Sequence, residues 1–150
     1  MRNFSLTVLM VALLATGFLT ALASYSRAGE EPAIYMGKEK RVVAKVDDDG
    51  VQRVDIVGGG YYYDPNVIVV KVNHPVELRV KKEGGFVPHN IIVNAPEAGI
   101  DFKVELTDKF QTISFTPTKT GKYLMYCDHR FLWFDSHKEK GMEGIIEVVP

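Results

Sequence analysis

Tyr126-Cys127-Asp128-His129, continued through Phe131-Leu132-Trp133-Phe134 to His137 and then Gly141-Met142-Glu143-Gly144, is the stretch that decides how this chain reads. It opens at the tail of one β-type run, Lys122 to Cys127, and closes at the head of another, Gly144 to Val149, so it is a loop between two expected strands. Within it lie the only cysteine, two of the four histidines and a thioether. Thiolate, imidazole and thioether form a soft ligand set, which suits copper better than calcium or magnesium.

Outward from that loop the chain consists of short β-branched runs separated by turn residues, and no segment sustains a 3.6-residue repeat. Arg41 to Val46 and Val51 to Val57 flank Asp47-Asp48-Asp49-Gly50, a strong hairpin-turn signal. Asn66 to Val72 and Pro75 to Lys81 flank a second turn, Asn73-His74. In the latter run Val76, Leu78 and Val80 alternate with Glu77 and Arg79, giving one buried and one wet face. With His89 to Val93, Asp101 to Leu106 and Phe110 to Thr116, about nine strands fall in roughly 110 residues, the density of an all-β Greek-key sandwich or barrel. Gly58-Gly59-Gly60 is followed by neither Lys-Ser/Thr nor a helix, so it reads as a strand connection and not a phosphate loop. Tyr61, Tyr62 and Tyr63 read as packing at a sheet edge, and His74 as a surface residue.

At 150 residues, 46% hydrophobic and 25% charged, the composition is that of one globular domain. Residues 1–23 stand apart: Met1-Arg2 precedes an uncharged apolar run from Phe4 to Leu22 that ends in Ala21-Leu22-Ala23, the outline of a signal peptide. Left uncut, residues 4–22 are long enough to anchor the chain, since a spanning helix needs roughly 17 to 25 residues. The expected location is the periplasm or another exported compartment, with membrane attachment only through that segment. Residues 24–40 read as a linker or arm and 41–150 as the domain, expected to be a monomer. A lone cysteine in an exported compartment has no internal disulfide partner, which leaves a buried small residue, an intermolecular link, a ligand or a nucleophile. A formal net charge of −1, without a basic patch interleaved with aromatics, argues against nucleic acid as a partner.

Phe86-Val87-Pro88-His89-Asn90-Ile91-Ile92-Val93 puts His89 at the head of an apolar strand, while Gly121 to Cys127 brings Cys127 to the tail of another. Loops of a sandwich cluster at its two ends, so a head and a tail meet if the strands are antiparallel. His89 would then join Cys127, His137 and Met142 in one four-donor cluster. A thiolate gives copper a strongly donating bond, imidazoles suit both oxidation states, and a weak axial thioether tunes the potential. Singly, each has a plainer reading: a satisfied polar histidine, an inert buried thiol, a packed methionine. Four in this order point to a metal.

The sequence resembles the cupredoxins, and within them the plastocyanin/azurin-like type 1 blue copper proteins. The resemblance covers roughly residues 50–150 and rests on Pro88-His89-Asn90-Ile91-Ile92-Val93, Ala98-Gly99-Ile100-Asp101, Gly121-x-Tyr123-x-x-Tyr126-Cys127 and His137-x4-Met142-x-Gly144. It implies a cupredoxin-like fold and one mononuclear copper held by His89, Cys127, His137 and Met142. It also implies that Asn90 hydrogen-bonds across to the ligand loop and steadies the cysteine end. One departure stands out: nine residues separate Cys127 from His137, more than in the family members compared. His129 is therefore a rival ligand, although the spacing of His137 to Met142 and Gly144 follows the family pattern and a single residue after Cys127 is tight. Phe131 to Phe134 in the enlarged loop would cap the metal, present an apolar docking patch or pack into the core.

The function that follows is one-electron transfer between redox protein partners by Cu(I)/Cu(II) cycling, without catalysis by this chain. A copper chaperone or storage protein of the same fold and a metal-free sandwich binding module are the alternatives. A binuclear copper centre needs two bridging cysteines, and a structural zinc site would prefer a further cysteine or a carboxylate to a thioether. A cysteine-nucleophile enzyme would need a base facing Cys127, and adjacent strand residues such as Asp128 point away.

Overall fold

The computed structural model describes residues 38–150; the expected leader of residues 1–23 and nearly all of the arm of residues 24–40 lie outside the described residues. Ten strands run in chain order: β1 (Arg41–Val43), β2 (Gln52–Gly59), β3 (Tyr62–Asp64), β4 (Val67–Lys71), β5 (Val76–Lys82), β6 (Asn90–Ala95), β7 (Ile100–Glu105), β8 (Gln111–Phe115), β9 (Gly121–Tyr126) and β10 (Glu143–Val149). One sheet has the order β1-β4-β10-β9-β6-β7 and the other β3-β2-β5-β8. The all-β sandwich expected from the sequence is thus present, with one strand more than the runs suggested.

Two-residue alternation builds the core. β5 buries Val76, Leu78 and Val80 and leaves Glu77 and Arg79 outside, and β10 buries Gly144, Ile146 and Val148 in the same way. The aliphatic side chains among these meet Ile56 from β2, Ile68 from β4, Ile91 from β6 and Met125 from β9 in one continuous apolar cluster. Each fully buried aliphatic side chain contributes about 1.5–3 kcal/mol by leaving water.

Two local readings change. The Asp47-Asp48-Asp49-Gly50 turn does form, with Gly50 donating to the Asp47 carbonyl, but the runs beside it do not pair as a hairpin beyond a single Val46–Gln52 bridge. β1 pairs in parallel with β4, and β2 in parallel with β5, so the turn passes the chain from one sheet to the other. The Asn73-His74 turn likewise leads from β4 in one sheet to β5 in the other. The additional strand is β3, which pairs antiparallel with the end of β2, Gly59 opposite Tyr62. Gly58 and Gly59 therefore belong to a strand, and only Gly60 and Tyr61 form the connection.

β6 and β9 are antiparallel, with Ile92 opposite Tyr126, and β9 and β10 are antiparallel, with Tyr126 opposite Glu143. The head of β6, the tail of β9 and the head of β10 consequently lie at one end of the sandwich.

Candidate metal centre

His89 immediately precedes β6 and Cys127 immediately follows β9, so the strand register alone carries both side chains to that end. His137 arrives by a different route. The insertion folds back on itself: the His137 amide donates to the His129 carbonyl (2.8 Å), Lys138 to Cys127 (3.1 Å) and Met142 to His137 (2.9 Å). The Cys127 amide in turn donates to the Met142 carbonyl (3.2 Å), and the loop closes where β10 begins. A nine-residue excursion is closed at its base by main-chain bonds, which is how a longer spacer still returns His137 beside Cys127.

Among the described residues, the metal-ligating side chains that gather are His89, Cys127 and His137, whose donor atoms all lie within 4.8 Å of one another. Nδ1 of His89 is 3.1 Å from Nδ1 of His137, which is 3.5 Å from the Cys127 Sγ. All three residues are buried. Burial, followed by the neighbouring His137, holds the His89 imidazole down to about 4, and burial also lowers His137. Burial pushes the Cys127 thiol up, opposed by the Asn90 amide, which donates to its sulfur at 3.5 Å.

Met142 is fully buried, with its methyl near Gly58 of β2. Asn90 is also fully buried and spans the gap between β6 and the loop. Its Nδ2 donates to Asp128 Oδ1 (2.7 Å), its Oδ1 accepts from the Asp128 amide (3.1 Å), and its carbonyl accepts from the Tyr63 hydroxyl (2.6 Å). The residue after Cys127 is thereby tied to the residue after His89.

His129 stands outside the cluster. Its Nε2 lies 2.7 Å from Glu105 Oε2 on β7, and its ring centroid is 6.1 Å from that of His137. Phe131, Leu132, Trp133 and Phe134 are 67, 62, 81 and 50% exposed, which overturns a core-packing role for the run. Phe134 stacks on both Phe131 and Trp133, an aromatic surface patch on the ligand loop. Sequence reasoning missed Tyr61, whose ring lies edge-on to His137 (4.9 Å between centroids) and His89 (6.2 Å). The Gly60-Tyr61 pair at the head of three consecutive tyrosines was the available signal, since a two-residue turn would aim the tyrosine at the strand end.

Solved structures share this architecture. The metal-binding domain of the Cu(I)-exporting P-type ATPase CopA of Streptococcus pneumoniae, solved with Cu(I), matches at 20% identity and a TM-score of 0.57, over 76% of this chain and 100% of that one. Reduced auracyanin of Roseiflexus castenholzii matches at 20% identity and 0.52, over 65% and 97%. Auracyanin A of Chloroflexus aurantiacus, a "blue" copper protein, matches at 17% identity and 0.51, over 67% and 100%. The fold is that of the cupredoxins. No family model matches the sequence, and no curated protein matches it either. At these identities the likeness concerns the cupredoxin fold, and the buried His-Cys-His cluster at the end of that fold is a separate observation, able to hold a metal ion.

Proposed function

We propose that this chain is an exported mononuclear type 1 copper protein that carries single electrons between redox partners, with His89, Cys127, His137 and Met142 as ligands and His129 outside the set. The observation that carries the reading is the convergence of one thiol and two imidazoles, all buried, at the end of a cupredoxin-like sandwich. The donors suit a soft or borderline ion: among the described residues no carboxylate joins them, and nitrogen and sulfur ligands sit about 2.0–2.3 Å from a first-row metal, compatible with donors 3.1 and 3.5 Å apart. Copper, when bound there, supplies a one-electron couple.

The chain's own residues do the rest. His89, held at about 4, and His137, lowered in the same sense, are neutral imidazoles at neutral pH, so neither has to lose an imidazolium proton before it can act as a ligand. Cys127 is a protonated thiol there, and loading releases its proton. Asn90 and the main-chain bonds of the loop fix the donors before binding, which keeps reorganisation small during a redox change. The exposed aromatic run Phe131–Phe134 lies on the ligand loop itself and offers a redox partner an apolar contact close to the site.

A second reading, holding and handing on Cu(I), draws support from the likeness to the pneumococcal domain solved with Cu(I). Loading the protein with Cu(II) separates the two. An intense thiolate-to-copper charge-transfer colour that bleaches on reduction and returns on oxidation supports the electron carrier. Tight Cu(I) binding without a coloured Cu(II) form supports the carrier of metal, and no binding overturns both.

A further inference from the structure

The connection from β2 to β3 consists of Gly60 and Tyr61, both with positive φ (55° and 64°), the left-handed pair of a type I′ hairpin turn. Glycine suits either position, whereas a large aromatic residue in this conformation is strained. The strain places a ring. Tyr61 stands edge-on to both histidines of the cluster, and its ring face is held by Lys140, whose Nζ is 4.6 Å from the ring centroid and 3.5 Å from the phenolic oxygen.

Two surface cavities meet at this ring. One, of about 600 Å³, is lined by Tyr61, Tyr63, Asn66, Lys140 and Glu143 among others. The other, of about 140 Å³, runs between the Gly60-Tyr61 turn and the loop before β6, with Glu83, Gly85 and Val87 in its walls and His89 at its inner end. His89 is only 3% exposed, yet this cleft reaches it. A Cβ built at Gly84 or Gly85 would meet nothing within 4 Å, so the outer wall leaves room for a small ion, and Glu83 contributes a carboxylate there.

We infer that the smaller cleft is the entrance by which a small cation reaches the His89–Cys127–His137 cluster, and that Tyr61 is the gate that closes it. The inference takes the metal site from the proposed function, but the gate itself can be read on metal-free protein. A cation is drawn to the Glu83 carboxylate, passes Gly85 and Val87, and meets the His89 imidazole first. The Tyr61 ring lies against His137, whose Nδ1 is 3.5 Å from the Cys127 Sγ, and both become reachable when that ring swings off Lys140.

The test uses the full chain with Tyr61→Gly, Tyr61→Phe and, as a control on the other side of the loop, Trp133→Ala. In metal-free protein, the rate at which methyl methanethiosulfonate modifies Cys127, forming a methyl disulfide on its sulfur and releasing methanesulfinate, is expected to rise about tenfold or more in Tyr61→Gly, because thiol reactivity follows access. Tyr61→Phe and Trp133→Ala should stay within about twofold of the parent. Uptake of Cu(II), followed by the appearance of colour, should accelerate in the same variant alone. Glycine suits the turn, so the thermal midpoint of Tyr61→Gly should hold or rise. Unchanged Cys127 reactivity in Tyr61→Gly, equal acceleration in Trp133→Ala, or acceleration accompanied by a lowered midpoint each overturn the gate. Absence of colour in the parent protein would overturn the copper reading instead, while the Cys127 rates still decide the gate.

Discussion

His129 and His137 lie on the same loop, and only His137 joins the cluster of donor atoms around Cys127. His129 is committed to Glu105 at 2.7 Å, while His137 lies within 3.5 Å of both Cys127 Sγ and His89 Nδ1. Replacing His129 by Ala should therefore leave the absorption of the copper-loaded protein in place, and His137→Ala should abolish or drastically shift it. Loss of colour in the first variant alone would reverse the assignment. Asn90 makes a second prediction. Its removal leaves the Asp128 amide without its acceptor and cuts the tie between the His89 and Cys127 segments, so Asn90→Ala should lower unfolding free energy by about 1–3 kcal/mol in chemical denaturation. Because Asn90 also donates its main-chain amide to the Cys127 sulfur, which the substitution leaves in place, the colour should survive in weakened or shifted form.

At the level of elements, β2 shows why small residues recur beside the site. A Cβ at Gly58 would lie 2.5 Å from Leu106 Cδ1 and 3.3 Å from the Met142 methyl. Gly58→Ala should thus cost about 1–3 kcal/mol by overpacking and displace Met142, visible as a changed electron paramagnetic resonance spectrum of the copper-loaded protein. An unchanged spectrum would mean that the Met142 thioether does not bear on the metal. The same strand marks the limit of what the sequence could tell. The alternation in β5 and β10 was legible because each buries one face, and His89 and Cys127 were legible because strand ends must share the ends of a sandwich. The pairing of β1 and β2 was not: a turn signal reports the chain reversal, whereas the choice between two sheets depends on parallel partners far along the chain. β3 was hidden for a similar reason, since Gly58 and Gly59 look like a break while their lack of side chains serves the close packing of Leu106, Met142 and Glu83. The fate of the insertion depended on main-chain bonds that no side-chain pattern announces.

For the whole molecule, the buried cluster makes stability depend on pH in a window of its own. His89 titrates near 6.5 when unfolded and at about 4 when folded, lowered by burial first and then by His137, His129 and Lys82, and His137 is lowered in the same sense. Above pH 6.5 neither state protonates His89, so it contributes no pH dependence. As pH falls from 6.5 toward 4 the unfolded chain takes up protons that the folded chain refuses, and stability is lost; below 4 both states are protonated and the loss stops growing. Cys127 acts at the other end: its folded value lies above the ordinary 9.0, so the unfolded chain ionises first and stability is lost as pH rises past that value. The lowered carboxylates Asp49, Asp55, Asp128 and Glu139 act below their ordinary values of 3.8 and 4.5, mostly beneath the histidine window. The metal-free protein should therefore show a stability plateau between about pH 6.5 and 9 and a decline between 6.5 and 4 in denaturant titrations. His89→Gln should flatten much of that decline without touching the alkaline limb. A decline of equal size in His89→Gln would show that the buried His89 imidazole is not its source.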